Sequence, residues 1–348
     1  MSAAKNSPAA PHSRLIVILG PTASGKSALA IALAEKLGGE ILVCDSTQVY
    51  RHFDIGTAKV PQREQKNIPH HLVDLVEPAE VFTAGDYRRH ALLALQDLRR
   101  RGKLPIITAG TGLYLRALLE GLADAPQRSE ELRERLRQSA KEHGPERLHK
   151  ILARLDRESA ARIAPRDAQK IIRAIEMRLL AGKPVSEIFS AGRAGQHIEA
   201  SGELRHEMRA EVRENALEGY AVTKIGLLPP RAALYARIDA RVHEMLAAGW
   251  LDEVRSLGLP ENVRGVPADS KPFQFIGYAD LRAHLEGRVA LADAVARIQR
   301  ATRRFAKRQL TWFRREPDVH WLEGFGDDEK IIATTLKLLS AHECSSPM

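Results

Sequence analysis

The octapeptide Gly20-Pro21-Thr22-Ala23-Ser24-Gly25-Lys26-Ser27 constrains the fold more than any other part of the chain. It fits G-x-x-x-x-G-K-[ST], and its flanks fit as well. Leu15 to Leu19 is a short apolar run, the pattern of a buried parallel strand. After Lys26, the residues Ala28, Leu29, Ile31, Ala32 and Leu33 recur at helical spacing until Gly38-Gly39 stops the helix. Strand, glycine-rich loop and helix in this order make a cradle for phosphate oxygens. Gly20 and Gly25 let backbone N–H groups close around an anion, and the helix N-terminus adds positive potential. Lys26 supplies a point charge, and the Ser27 hydroxyl can hold Mg²⁺. The motif alone leaves open what is attached to the phosphates.

The first 122 residues alternate between the two periodicities. Strands are expected at 14–19, 40–44, about 71–76 and 104–108, and helices at 26–37, 84–101 and 112–120. That alternation specifies an α/β fold with a doubly wound parallel sheet. Ligands of such sheets sit beyond the carboxyl ends of the strands. The phosphate loop, Asp45 after "ILVC" and Thr111 after "PIITAG" should therefore converge. Composition changes after Gly121. Residues 129–189 are rich in Arg, Glu, Leu and Ala at helical spacing. In this stretch Asp167 is the expected N-cap of a helix that carries Ile171, Ile172, Ile175 and Leu179 on its apolar face and stops at Gly182. Residues 190–220 are polar with a helical middle. "TKIGLL" at 223–228 returns to strand, and helices follow at 231–248, 250–256, 278–286 and 291–315. The expected division is a disordered tail at 1–13, an α/β core from 14–122 and 221–325, a mainly helical insertion at 123–220, and a C-terminal helix and tail at 326–348.

Lys and Arg number 53 against 44 Asp and Glu, a formal charge of +9. The clustering says more than the total. "RIQRATRRFAKRQLTWFRRE" at 297–316 holds eight basic residues and one acid. Ile298, Ala301, Phe305 and Trp312 are its expected buried stripe, with the basic groups left to face solvent or phosphates. No apolar run is long enough to span a membrane. The first thirteen residues lack the apolar segment of a secretory leader. The two cysteines, Cys44 and Cys344, suit a reducing, cytoplasmic setting. His70, His71 and Asp74 invite a metal reading, but neighbouring residues of a strand point to opposite sides, so joint ligation is not expected.

Several stretches resemble the tRNA dimethylallyltransferases, also called IPP transferases. They are "GPTASGKS", "CDSTQVYRHFDIGTAK", "IPHHLVDLVEPAEVFTAGDY", "AGTGLYLRALLEGL", "RDAQKIIRAIE", "FIGYADL" and "ATRRFAKRQLTWFR", in the order that family has them. The resemblance runs from about residue 14 to 322. It implies a P-loop NTPase-like core with a helical insertion domain. The phosphates would be those of dimethylallyl diphosphate rather than ATP. The five-carbon group would pass to N6 of the adenosine just 3′ of the anticodon (position 37 of tRNA), releasing diphosphate, with Mg²⁺ as cofactor. A monomer is expected.

Residue by residue, the resemblance implies the following roles. Gly20, Pro21, Thr22, Ala23, Ser24, Gly25, Lys26 and Ser27 bind diphosphate, with Ser27 as metal ligand. Thr22 and Lys26 stabilise the leaving oxygens, as do Arg237 and Arg241 on one face of a later helix. Asp45 is the general base. Contacts to the anticodon stem-loop fall to Asp45, Ser46, Thr47 and Gln48, to Thr111 and Arg133, and to Gln169, Lys170, Ile171, Ile172 and Arg173. The segment Gln274, Phe275, Ile276, Gly277, Tyr278 and Ala279 joins them. The sequence departs from the pattern at Ala109 and Lys170, where glycine and arginine are usual. Two other enzymes share the loop and sheet logic: a small-molecule kinase and a prenyltransferase acting on free adenine nucleotides.

Overall fold

The computed structural model describes residues 13–121, 126, 128–185, 187–188, 217, 219–258, 266 and 270–344. The tail at 1–12 and most of the polar stretch at 190–220 lie outside the described residues. The chain divides into two compact units. Residues from Leu119 to 188 belong to one, and the described residues before and after belong to the other.

The larger unit is built on a six-stranded sheet. Its strands are β1 (Ser13–Leu19), β2 (Gly39–Cys44), β3 (His70–His71), β4 (Leu104–Ala109), β5 (Tyr220–Leu227) and β6 (Val319–Leu322), in the spatial order β3-β2-β4-β1-β5-β6. All pairings are parallel. β1 lies at the centre, with Ile18 opposite Thr108 on one side and Ile225 on the other. Parallel strands need crossovers, and helices supply them: α1 (Lys26–Leu37), α2 (Ala84–Arg100) and α3 (Gly112–Glu120).

Strand alternation sorts the sheet residues between two layers. Ile16, Ile18, Ile41, Val43 and Ile106 pack with Leu29, Ala30 and Leu33 of α1. On the other face, Cys44 meets the phenol of Tyr87 on α2. The sheet is thus covered on both sides, which is why its strands read as unbroken apolar runs.

Three features differ from expectation. The strand expected over 71–76 shrinks to His70–His71, because the backbone turns left-handed at Leu72 (φ 69°) and Asp74 (φ 53°). Pairing resumes only at the single bridge between Tyr50 and Val76. β6 was not anticipated; its "VHWL" run is only four residues long, too short to show a periodicity. It pairs with β5 from Val319 to Leu322. The helix after it supplies Ile331 and Leu339 to the α1 layer.

The smaller unit is helical where described, with α4 (Glu130–His143), α5 (Pro145–Leu155), α6 (Arg157–Arg162) and α7 (Ala168–Ala181). Asp167 caps α7 by accepting from the Lys170 N–H, and Gly182 ends it in the left-handed conformation. Its core gathers Leu148 and Leu152 of α5 with Ile171, Ile172 and Ile175 of α7. After β5 the larger unit continues through α8 (Arg231–Ala247), α9 (Trp250–Gly258), α10 (Tyr278–Leu285), α11 (Leu291–Phe313) and, past β6, α12 (Glu329–Cys344). Among the described residues no helix is long and apolar enough to cross a membrane.

Candidate active site

The carboxyl ends of β1, β2 and β4 open onto one cavity of about 1060 Å³, lined by the phosphate loop, Asp45, Thr47, Gln48, Gly110, Arg237 and Arg241. All of its lining residues belong to the larger unit.

The loop has the backbone its glycines foretell. Gly25 sits at φ 87° as the N-cap of α1. A side chain there would strike the backbone nitrogen of Gly326 at 2.6 Å. Ala23 also adopts a left-handed φ of 64°, a strained choice for a residue with a Cβ. The Lys26 ammonium donates to the carbonyls of Gly20 and Pro21, both at 2.9 Å. Desolvation lowers its pKa from 10.5 to about 8; Asp45 opposes the shift and Arg241 adds to it. The ammonium is thus held over the loop and short of solvent.

Asp45 follows β2 directly. Its Oδ1 accepts from the Thr47 N–H at 2.8 Å and the Thr47 hydroxyl at 2.6 Å. Its other oxygen lies against Gly110, where any Cβ would collide with it. The Thr111 hydroxyl accepts from the Ser46 N–H at 3.0 Å. One carboxylate oxygen is therefore fixed by its own turn, and the carboxylate faces the same cavity as Lys26.

Arg237 and Arg241 lie one turn apart on α8. Arg237 makes a two-pronged pair with Asp327, at 2.8 and 2.9 Å, over the ring of Phe325. Among the described residues Arg241 makes no such pair; burial and then Arg237 lower its pKa, against the opposing charges of Glu244 and Glu64. The turn that carries Asp327 is docked on the loop, since the Gly326 N–H donates to the Ser24 carbonyl at 2.9 Å.

Three organising residues carried no motif. Gln309 of α11 accepts from the Thr22 N–H at 2.7 Å and donates to the Gly110 carbonyl at 2.8 Å. It ties the phosphate loop to the turn beside Asp45. Glu253 of α9 accepts from the N–H groups of Asp54, Ile55 and Gly56 and from the Tyr278 hydroxyl. Asp327 holds Arg237. The one usable signal was Gln309, a polar residue in phase with Ile298 on the buried face of α11. That face also corrects the expected stripe. Val295, Ile298, Ala306, Gln309 and Phe313 are buried, while Phe305 lines the cavity and Trp312 lies under Arg116.

The residues assigned to tRNA separate in character. The Gln48 amide donates to the carbonyls of Thr57 and Ala58, so its N–H₂ is already engaged. Gln274, Phe275 and Ile276 line the cavity. Gly277 packs against Trp250, Tyr278 is buried, and Ala279 is exposed. In the smaller unit, Gln169 and Lys170 are exposed, and Lys170 pairs with Asp167. Ile171 and Ile172 are core residues there, so their side chains face the unit's interior. Arg133 and Arg173 both bind Glu176, whose side chain is fully buried. His70 bonds the Ile68 carbonyl and His71 bonds Glu40, so the two imidazoles face different partners.

Oxygen donors surround the loop: Ser27, Asp45 and Thr108 all line the cavity. Among the described residues no group of three His, Cys, Asp or Glu could hold a metal. Such a donor set fits Mg²⁺, which keeps waters and takes ligands from substrate phosphates.

A sequence profile of the IPP transferases matches residues 48–316. The chain belongs to the IPP transferase family. The tRNA dimethylallyltransferase of Koribacter versatilis (strain Ellin345) is 48% identical over 325 residues, spanning 93% of this chain and 97% of its own. The crystal structure of the full-length tRNA isopentenylpyrophosphate transferase from Bacillus halodurans superposes with a TM-score of 0.64 at 34% identity, covering 94% of this chain and 96% of that one. A eukaryotic dimethylallyltransferase acting on tRNA gives a TM-score of 0.72 at 26% identity, over 94% and 80% of the two chains. In this IPP transferase the family's phosphate loop stands intact beside a strand-end carboxylate.

Proposed function

We propose that this chain transfers the dimethylallyl group of dimethylallyl diphosphate to N6 of the adenosine 3′ of the anticodon in tRNA, releasing diphosphate in the cytoplasm. One observation carries the reading beyond family membership. A phosphate cradle and the Asp45 carboxylate open onto a single cavity, bolted together by Gln309.

The chemistry follows from that arrangement. The allylic C1–O bond breaks and a C1–N6 bond forms. Negative charge develops on the departing diphosphate, toward which the loop N–H groups, Lys26 and Arg241 present positive charge. Arg237 can share its guanidinium between Asp327 and the same oxygens. The N6 lone pair is delocalised into the purine and is a weak nucleophile. Asp45 accepts the proton that N6 loses as the new bond forms, assistance of about 10²–10⁴-fold in such reactions. Mg²⁺ held by Ser27 and diphosphate oxygens would neutralise charge on the leaving group. The adenine must leave its stack to reach Asp45.

The test pairs dimethylallyl diphosphate and ATP, separately, with tRNA and with AMP. The expected result is a tRNA heavier by one dimethylallyl group, and no change in the other pairings. Prenylated AMP without prenylated tRNA, or phosphoryl transfer from ATP, would overturn the reading.

A further inference from the structure

The turn between Phe53 and Lys59 lines the cavity through Gly56, Thr57 and Ala58. Its main chain is used on two sides. The N–H groups of Asp54 and Ile55 donate to Glu253 Oε2 at 2.9 and 2.7 Å, and the Gly56 N–H donates to Oε1 at 3.3 Å. The carbonyls of Thr57 and Ala58 accept from the Gln48 amide at 3.0 and 3.3 Å. Gln48 lines the same cavity, three positions after Asp45. Glu253 is thus linked to Gln48 through one short piece of backbone.

That link leaves little freedom. An ionised carboxylate only accepts, and it has two oxygens to offer. Here three backbone N–H groups and the Tyr278 hydroxyl, at 2.6 Å, converge on them. Backbone donors hold the course of the main chain whatever its side chains are. Packing adds to the hold, since a Cβ on Gly56 would strike the Trp250 indole of α9 and the Tyr278 ring of α10. At the other side of the turn, two carbonyls can accept only from N–H groups, so the Gln48 amide must turn its nitrogen to them. Its Oε1 then has no donor among the described residues. A displaced turn would free the amide to present either end.

We infer that Glu253 is a positioning residue for base selection: acting through the 54–56 backbone, it keeps the Gln48 oxygen free to accept from the exocyclic amino group of the target base. The inference rests on the proposed function for the identity of that base. The amino group carries two hydrogens. Asp45 takes the one lost in the reaction, and the other meets Gln48. A base that lacks this donor leaves the oxygen unpaired, which costs about two- to tenfold in affinity. The same arrangement gives Tyr278 a purpose within the protein, since its hydroxyl is spent on Glu253.

The test uses the full chain and two anticodon stem-loop RNAs that differ only at the target position. One carries adenosine there, and the other carries purine riboside, which lacks the amino group. Affinities for both are measured with the wild type, Glu253→Ala, Glu253→Gln, Gln48→Leu and the double variant Glu253→Ala with Gln48→Leu. Circular dichroism checks the fold, and calorimetry with dimethylallyl diphosphate checks the cradle. The wild type is expected to prefer the adenosine RNA. Glu253→Ala and Gln48→Leu should each reduce that preference by about two- to tenfold, the double variant no further, with diphosphate binding unchanged. Glu253→Gln keeps one acceptor oxygen for the turn and should fall between wild type and alanine. A merely structural role weakens both RNAs alike and leaves their ratio intact. That result in folded Glu253→Ala, or in Glu253→Gln where the alanine variant does not fold, would overturn the inference. Equal binding of the two RNAs by the wild type, or additive losses in the double variant, would overturn it as well. Failure of the wild-type protein to prenylate any tRNA sinks the proposed function instead, and the two failures are separately readable.

Discussion

Lys26 connects the loop's geometry to a measurable pH dependence. Its ammonium is short of solvent, so its pKa falls to about 8 in the free protein. A bound diphosphate favours the charged form and raises that pKa. Between the two values binding takes up a proton, so affinity should fall as pH rises through about 8, approaching tenfold per pH unit. Calorimetry with dimethylallyl diphosphate from pH 6.5 to 9.5 measures it, and Lys26→Met should bind weakly with that dependence removed. The same shift acts on folding with a definite sign. The unfolded chain holds the proton up to about 10.5 and the folded chain only to about 8, so stability contributed by this group rises with pH across that window. Lys26 and Asp45 were legible in the sequence because a motif and a strand end mark them. Glu253 and Asp327 were not, and Gln309 showed only as a polar residue in phase with Ile298, with no sign of what it holds. Gln309 reaches Thr22 across 287 positions, and no local pattern announces a contact of that range.

At the scale of elements, periodicity located the helices well and their faces less well. α11 was expected to bury Phe305 and Trp312, yet the buried side is centred on Ile298, Gln309 and Phe313. A buried glutamine defeats a purely apolar reading of a face, because hydrogen bonds to Thr22 and Gly110 satisfy it. β3 fell short because two left-handed residues interrupt an apolar run, and such φ values leave little trace in composition. Within the smaller unit, α4 and α7 are joined by Arg133 and Arg173 at the buried Glu176 carboxylate, whose pKa is lowered by hydrogen bonds from both arginines against the cost of burial. Arg173 was expected to face RNA. Arg173→Ala removes one partner of a buried charge and should lower the stability of this unit by about 1–3 kcal/mol. Urea unfolding followed by circular dichroism measures this. A stable variant with impaired tRNA binding would instead make Arg173 an RNA contact, the role expected from the sequence.

For the molecule as a whole, the α/β class and the edge at which the site lies followed from one loop and its flanking periodicities, because strand ends of a parallel sheet share an edge. The closing strand β6 and the docking of the 325–327 turn on the loop did not, since both depend on where the chain's last fifth returns. The cavity is thereby assembled from both ends of the chain: the loop near residue 20, Asp45, α8, α11 and Asp327. The proposed function has Asp45 act on the same reaction that the phosphate loop serves. Single-turnover prenylation of tRNA by Asp45→Asn tests this most directly, with dimethylallyl diphosphate and tRNA affinities measured beside it. The expected result is a rate lower by about 10²–10⁴-fold with both affinities nearly unchanged. An unchanged rate, or a collapse of tRNA affinity that accounts for the whole loss, would contradict it.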